Sequence, residues 1–261
     1  MKSSTSRIAS LIAAVCGTGC LLQAAVPDGR LFQPDRAWLE RYDSTLLSSR
    51  FLSEFSGERF DNGSDFFVIE NSLRWGIPVR EDLAFGFQAL LPLKWADAAE
   101  EDAEGFGDLE LRAGLMGRFS PQIRYGLALN AVLDTASAPL LGDSALVLRP
   151  IAGLRWDAHE SLTLGINMEY NFTPREEGSH DVSAWEVKLP LIFRINHDWS
   201  AFVSFNHRWN LLQESDRQRL EYSATRIFGK DRQYAWSLGG EAPLSSESFD
   251  CKWKTGLTWF F

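Results

Sequence analysis

Apolar and polar residues alternate along most of this 261-residue chain, and the alternation is clearest in residues 162–172. There, one parity holds Leu162, Leu164, Ile166, Met168, Tyr170 and Phe172, and the other holds Thr163, Gly165, Asn167, Glu169 and Asn171. A period of two is typical of a β-strand with one apolar and one polar face. About twelve such segments follow residue 43, each near the roughly ten residues that a tilted strand needs to cross a bilayer. The first, near 44–55, has the weakest pattern.

The connections between these segments alternate in length. Short polar connections occupy 79–82, 120–122, 157–160, 196–198 and 229–232, and longer ones occupy 56–65, 96–107, 135–143 and 173–181. Short turns at one end and longer loops at the other are typical of transmembrane barrels. The pattern therefore predicts an all-β fold, a transmembrane antiparallel up-and-down β-barrel of about twelve strands.

The tryptophans support this interpretation. All nine that follow Trp38 fall on the apolar parity of a predicted strand, most of them near a strand end. We expect them to form two aromatic girdles at the two headgroup layers of a membrane. A soluble β-sandwich is the alternative, but it would point its large aromatic residues into one dry core without sorting them by height.

The beginning of the chain predicts a secretory signal peptide over residues 1–25. A basic start with Lys2 and Arg7 is followed by an apolar run over 8–22 and then by small residues. The run is too short for a comfortable membrane-spanning helix. A lipoprotein signal with Cys20 as the acylated residue is the alternative.

Residues 26–41 show no alternation and are interpreted as a periplasmic leader, which leaves 42–261 for an outer-membrane barrel. The last segment, 251–261, alternates and ends on an aromatic residue. This ending resembles the C-terminal assembly signal of bacterial outer-membrane barrels, with Trp259 and Phe261 as its aromatic residues. The predicted signal peptide implies secretion across the inner membrane. The resemblance implies contact with the barrel-assembly machinery and location in the bacterial outer membrane.

Charge and composition exclude several classes of function. The formal net charge of −9 argues against nucleic acid as a partner, because phosphates require a basic surface. With no Gly-rich phosphate loop and no Cys or His cluster of metal-ligand spacing, we expect no cofactor, no metal and no catalytic residue. His207 has outward parity, but no outward serine accompanies it on its strand, which makes a lipid hydrolase the weaker alternative. The acidic residues of 97–104 form either a solvated loop or a site for cations that bridge lipopolysaccharide.

Inward polar residues are the candidates for a function inside the barrel. Near mid-height, neighbouring strands carry opposite charges that can pair across the wall and fill a narrow lumen. They describe either a narrow water-filled pore or a packed plug. The predicted lumen-lining residues are Glu110, Arg112, Arg149, Asn167, Glu169, Glu186, Lys188, Asn206 and Arg208.

A second inward set, next to the short turns, is entirely basic: Arg118, Arg124, Arg155 and Arg194. As a basic arc at the periplasmic mouth it would attract anions and repel cations. The alternative is that turn carboxylates such as Asp157 pair with these arginines and lock the barrel floor. Neutral residues in place of Arg124 and Arg155 would lower anion preference in the first case and folded protein in the second.

Three prolines, Pro92, Pro150 and Pro190, lie inside predicted strands. Proline lacks the backbone N–H that donates a hydrogen bond to the neighbouring strand, and a closed barrel has no edge strand to accommodate it. We therefore expect bulges at all three positions. Pro92 and Pro190 are candidates for opening the wall sideways to an apolar solute.

The motif Gly105-Phe106-Gly107-Asp108-Leu109-Glu110-Leu111, placed after the acidic loop, resembles one in the outer-membrane "MetA-pathway of phenol degradation" family of transporters. Similar segments follow at Leu133-Asp134-Thr135, Leu141-Gly142-Asp143, Gly153-Leu154-Arg155-Trp156 and Leu164-Gly165-Ile166-Asn167. The likeness covers roughly residues 65–210. It implies a small barrel that admits small molecules, often aromatic or apolar ones.

We therefore expect a channel or transporter for small solutes, among them small aromatic or apolar molecules, and not an enzyme. Outer-membrane lipid and lipopolysaccharide would surround it. A structural or adhesive barrel that acts through its outer loops is the alternative, and conductance in planar bilayers would separate the two.

Overall fold

The computed structural model describes residues 49–60, 64–97, 102–174, 181–230, 232–245 and 249–261. The signal peptide, its lipoprotein alternative and the periplasmic leader lie outside these residues and stay predictions. The same holds for Glu100 and Glu101 of the acidic loop. Within the described residues, no helix is long and apolar enough to cross a membrane.

Thirteen β-segments of the described chain form one closed antiparallel sheet. They are β1 (Arg50–Phe60), β2 (Asp65–Arg80), β3 (Leu83–Asp97), β4 (Asp102–Phe106), β5 (Glu110–Arg118), β6 (Ile123–Val132), β7 (Val147–His159), β8 (Leu162–Phe172), β9 (Ser183–Arg194), β10 (Trp199–Asn210), β11 (Ser215–Phe228), β12 (Tyr234–Pro243) and β13 (Phe249–Phe260). Each strand pairs with its neighbours in sequence, and β1 closes the sheet by pairing with both β13 and β2. Because β4 and β5 both pair with β3 and together make one strand, the barrel has twelve strands, and the predicted fold class is confirmed.

The two faces of the wall differ in chemistry as the period of two predicts. On the outer face, large apolar side chains stay exposed, for example Leu127 at 55% and Leu238 at 51%. On the inner face, polar side chains such as Asn130, Ser204 and Thr258 are buried. This distribution is the reverse of a soluble protein, and it is the one that a barrel surrounded by lipid requires.

The girdle tryptophans are on the outer face. None of the nine is buried, and the strand registers give all of them the parity opposite to the buried polar residues. Trp185 and Trp209 are directly opposite each other on β9 and β10, where Tyr170 packs on Trp185 at 4.8 Å between ring centroids. The predicted parity is confirmed, and a sandwich with one dry aromatic core is excluded.

The two ends of the barrel differ in their connections. At the end here called the inner end, turns of two to five residues join the strands, the shortest being 81–82 and 160–161. At the outer end, two long segments, 133–146 and 173–182, connect β6 to β7 and β8 to β9. The turn 211–214 is short although it lies at the outer end, because β11 begins five residues before its predicted start at Leu220.

The predicted fourth strand, 108–119, is wrong in its outer part. The pairing with β3 shifts by one residue between Glu110, opposite Leu90, and Phe106, opposite Leu93, so that 107–109 leave the ladder. Gly107 still donates its N–H to the carbonyl oxygen of Pro92 at 2.9 Å. The bulge expected at Pro92 is confirmed. The strand segment β4 was not predicted, because the acidic residues of 97–104 do not alternate with apolar ones.

The prediction of bulges at Pro150 and Pro190 is wrong. The pairing of β8 with β9 omits the two positions around Pro190 and then resumes in the same register. Pairing of β7 with β8 does the same around Pro150. On the opposite edge, Ser204 still pairs with Pro190 and Leu129 with Pro150. Each proline lacks a donor toward one neighbour only, so one ladder loses a bond without a change of register. A sideways opening of the wall stays a prediction.

Candidate functional site

The strand registers place all nine predicted lumen-lining residues on the inner face. They fall into rows of directly opposite residues: Glu169–Glu186–Arg208, Asn167–Lys188–Asn206, and Arg112–Asn130–Arg149 with Glu110 two positions from Arg112 on β5. Inward orientation follows from the period of two along each strand. The part of these residues in transport stays a prediction.

A continuous ion-pair network, here called the charged belt, lines the outer half of the lumen from β9 round to β1. Its members are Glu58, Glu186, Lys188, Arg219, Glu221, Glu241, Lys252 and Lys254. Only Glu186 and Lys188, 3.2 Å apart, were among the predicted lining residues. The other members have the inner parity of β1, β11, β12 and β13, and the same rule of alternation applied to those strands would have found them.

Arg219 and Lys252 join the separate parts of the charged belt. The guanidinium of Arg219 lies 3.8 Å from Glu186 and 3.1 Å from Glu241. The ammonium of Lys252 lies 3.9 Å from both Glu241 and Glu58. Because each of these cations contacts two carboxylates, the belt is a network rather than a set of isolated pairs, and it fixes the positions of these inner side chains.

Asn206 ties β10 to the charged belt. Its amide donates to Glu221 at 3.4 Å, and its oxygen accepts a hydrogen bond from Ser204 at 2.6 Å. Lys254 pairs with the same Glu221. Asn167, by contrast, takes part in contacts nearer the inner end.

A second set of inner residues connects the wall to the long segment 133–146. Asn130 donates to Glu110 at 2.9 Å, and Arg149 lies 3.6 Å from Glu110 and 3.7 Å from Asp143. Since Arg149 has inner parity, its contact with Asp143 places that part of the segment on the lumen side of the wall.

One buried carboxylate, Asp108, holds the segment 133–146 in place, and we call this arrangement the outer clasp. Its Oδ1 accepts N–H groups from Thr135 at 3.0 Å and Ala136 at 2.9 Å, and its Oδ2 accepts that of Asp143 at 2.6 Å. The Thr135 hydroxyl in turn accepts the N–H of Leu109 at 2.8 Å. Hydrogen bonds to an ionised acceptor are about twice as strong as neutral ones, so the clasp fixes both ends of the segment.

Two glycines of the similar motifs are required by the outer clasp. A Cβ on Gly142 would lie 2.5 Å from a carboxylate oxygen of Asp108. Gly105 has a φ of 155°, which residues with a side chain rarely adopt. A Cβ at this position would also overlap the side chain of Ser137. Within the segment, Leu141 is almost fully buried. The two sequence motifs around Asp108 and Asp143 are thus complementary parts of one contact.

The predicted basic arc does not form one uniform surface. Arg118, Arg124 and Arg155 are directly opposite one another on β5, β6 and β7, whereas Arg194 lies apart at the end of β9. Arg124 and Arg155 are fully buried. Like charges directly opposite each other destabilise a sheet unless other groups compensate them.

The compensation comes from an arrangement that we call the inner lock. Arg124 pairs with Asp157 at 2.8 Å, and Asp157 also accepts the hydroxyl of Thr163 at 2.7 Å. Arg155 donates to the side chain of Asn167 at 2.9 Å and to two backbone carbonyls. This geometry matches the alternative in which arginines lock the barrel floor, while the role of the arc stays a prediction.

His207 lies on the outer face near the outer end. Its ring stacks on Trp209 at 3.8 Å between centroids, and its Nε2 lies 3.2 Å from Asp216. The residues directly opposite it are Val187 and Gln218, so the neighbouring strands bring no serine to it. A hydrolase would need such a nucleophile next to the histidine.

Solved structures with the same fold are numerous. An outer-membrane channel from Pseudomonas putida F1 has a TM-score of 0.72 and 14% identity over 84% of this chain and 98% of that chain. The NanC porin has a TM-score of 0.58 and 8% identity over 80% and 98% of the two chains. The CymD monoaromatic hydrocarbon channel has a TM-score of 0.54 and 9% identity over 91% and 93%.

No protein-family model matches the sequence, and no curated protein matches it either. The structural likenesses show the fold, and the resemblance to the phenol-degradation family stays a prediction. The class that fold and wall chemistry define is a closed twelve-stranded β-barrel of the outer-membrane type. Within that fold, this chain carries the charged belt, the outer clasp and the inner lock.

Proposed function

We propose that this protein is an outer-membrane channel for small solutes. The observation that carries the proposal is the combination of a closed wall, apolar outside, with a lumen lined by charged side chains. Lipid can cover the outer face, and ions or polar solutes can interact with the inner one. The structural neighbours that are named as channels or porins support the same class of function.

The proposed solutes are small, and they include aromatic or apolar molecules. The charged belt and the part of the segment 133–146 around Asp143 lie on the lumen side of the wall in its outer half, and we expect them to favour small solutes over large ones. The aromatic part of the proposal rests on the resemblance of the motif around Asp108 and on the CymD channel, whose name describes monoaromatic hydrocarbons. We also propose outer-membrane lipid, lipopolysaccharide and the barrel-assembly machinery as partners of the chain.

Planar bilayers test the proposal directly. Folded, purified protein should produce stepwise conductance in KCl, and the same preparation after boiling should produce none. A correctly folded sample that gives no steps would contradict the channel and favour the structural or adhesive barrel. Uptake of radiolabelled small aromatic molecules into proteoliposomes, compared with that of larger sugars, tests the proposed solute class.

A further inference from the structure

A small, partly open cavity lies on the inner face between β2, β3, β5, β6 and β7, and its volume is about 30 Å³. Arg74, Gln88 and Arg112, directly opposite one another on three neighbouring strands, contribute its polar wall. The apolar wall comes from Met116, Ala128 and Ile151. The cavity therefore combines two guanidinium groups with an apolar surface, and the described residues that line it include no acidic one.

The two arginines are held in different ways. Arg74 is 9% exposed, and its Nη2 donates at 2.8 Å to the side-chain oxygen of Gln88, whose amide donates to Ser72 at 3.1 Å. The Nε of Arg112 is buried and has no hydrogen-bond acceptor among the described residues. A buried guanidinium donor without an acceptor costs free energy, and an anion would remove that cost.

Two glycines line the cavity, and one of them is required by the close approach of β5 and β6. A Cβ on Gly114 would lie 2.5 Å from the carbonyl oxygen of Leu127 and 2.7 Å from the Cβ of Ala128. A larger residue at this position therefore cannot be accommodated without a shift of the neighbouring strand. Gly86, directly opposite Gly114 on β3, also lines the cavity.

We propose that this cavity, the Arg74–Arg112 site, binds the anionic group of a solute. A cavity of about 30 Å³ exceeds the minimum that one water molecule needs, so it admits a halide-sized ion or the end of a carboxylate. Guanidinium groups match carboxylate oxygens in geometry and charge, and an apolar body next to the carboxylate would contact Met116 and Ile151. The inference rests on the proposed channel function and specifies its solutes as small anions, including carboxylates of small apolar or aromatic molecules.

Bromide is the probe for the site, because its anomalous scattering locates it without any transport measurement. Crystals of the full-length protein soaked in sodium bromide should show an anomalous peak between Arg74 and Arg112, and R112Q should abolish it. R217Q, which removes an exposed arginine at the outer end of β11, should leave the peak in place. No peak in the native protein, or a peak that survives R112Q, would overturn the proposal.

Reversal potentials in a KCl gradient provide the functional measurement. We expect native protein to prefer chloride over potassium and R112Q to lower that preference by roughly tenfold, the effect of losing one charge-assisted hydrogen bond. R112K keeps the charge and tests for a folding defect. If the site binds organic carboxylates, addition of benzoate or acetate should reduce the chloride current. If neither anion changes the current, the site binds inorganic anions and the carboxylate part of the proposal is wrong.

The two proposals fail separately. If folded native protein shows no conductance, the channel function is contradicted, and the bromide peak still tests anion binding at the Arg74–Arg112 site. Conductance whose ion preference is the same in native protein and folded R112Q contradicts the site but leaves the channel.

Discussion

Asp108 is the residue that holds the long segment 133–146 in place at the outer end of the barrel. It accepts three backbone N–H groups from a segment that begins 25 residues later in the chain. Each hydrogen bond to a charged group contributes about 1.5–3 kcal/mol, so the outer clasp stabilises one position of that segment by several kcal/mol. The carboxylate is thus a positioning group for the wall of the lumen.

The first residue-scale prediction is that D108A releases the segment 133–146. Loss of three charge-assisted hydrogen bonds should raise the population of the released segment roughly a hundredfold or more. Proteinase K should then cleave this segment in intact outer membranes, and single-channel conductance should increase. D134N, which changes the exposed carboxylate next to Thr135, is the matched control. Equal cleavage of native protein and D108A would contradict the clasp.

The second residue-scale prediction concerns the inner lock. R124Q removes the buried guanidinium that pairs with Asp157, and removal of one member of a buried pair typically costs about 3–5 kcal/mol. We expect a lower urea midpoint and less folded protein, partly restored in the double variant R124Q/D157N. R194Q, in the more exposed member of the predicted arc, should have little effect. If R124Q folds normally and only ion preference changes, the arc is functional and the lock is not needed.

At the scale of the element, β13 is the strand that closes the barrel. It pairs with β12 and β1, and the N–H of Phe261 continues that pairing to the carbonyl of Ser49 at 3.2 Å. The ring of Phe261 contacts Trp75 and Trp259, with centroids 6.0 and 5.3 Å apart. The terminal aromatic residue therefore packs across the seam between the last strand and the second.

Deletion of Phe261 should reduce the amount of folded barrel in the outer membrane. The physical reason is the loss of the aromatic contact at the seam, in addition to the proposed role in assembly. The measurement is the level of heat-modifiable protein in outer-membrane fractions, with F261Y as the control that keeps the ring. Equal levels for the truncated and the full chain would contradict the prediction.

At the scale of the whole molecule, closure is the property that governs stability. Each of the twelve strands has two hydrogen-bonded neighbours, although the short outer segment β4 is paired in the described ladders with β3 alone. The barrel is therefore closed, and a closed sheet offers no full-length edge from which unfolding can begin. The charged belt adds a network of ion pairs on the inner face of this closed wall. Such a barrel should unfold slowly in detergent.

Heat modifiability follows from closure. Unboiled protein should migrate differently from boiled protein on a gel, and its circular dichroism should be rich in β-structure. A helical spectrum, or identical migration of the two samples, would contradict the fold itself.

The sequence alone determined the strands, their faces and the class of fold. Alternation is a local property, since each residue of a strand faces opposite to the next. It therefore sufficed for β8, whose predicted bounds of 162–172 match the structure, and for the parity of the tryptophans. Alternation did not predict β4, where charged residues occupy a strand. The expectation that proline causes a bulge was wrong at Pro150 and Pro190, where the missing donor did not change the register.

Only the tertiary structure decided which inner residues meet. Lys254 pairs with Glu221, Arg155 with Asn167, and Asp108 with the backbone of 135–143. Each contact depends on the register between strands and on how a long segment folds back over the wall. The alternation within one strand predicts neither the register nor the path of the long segment. Register is a property of a pair of strands, and the stagger of all strands is a property of the closed barrel.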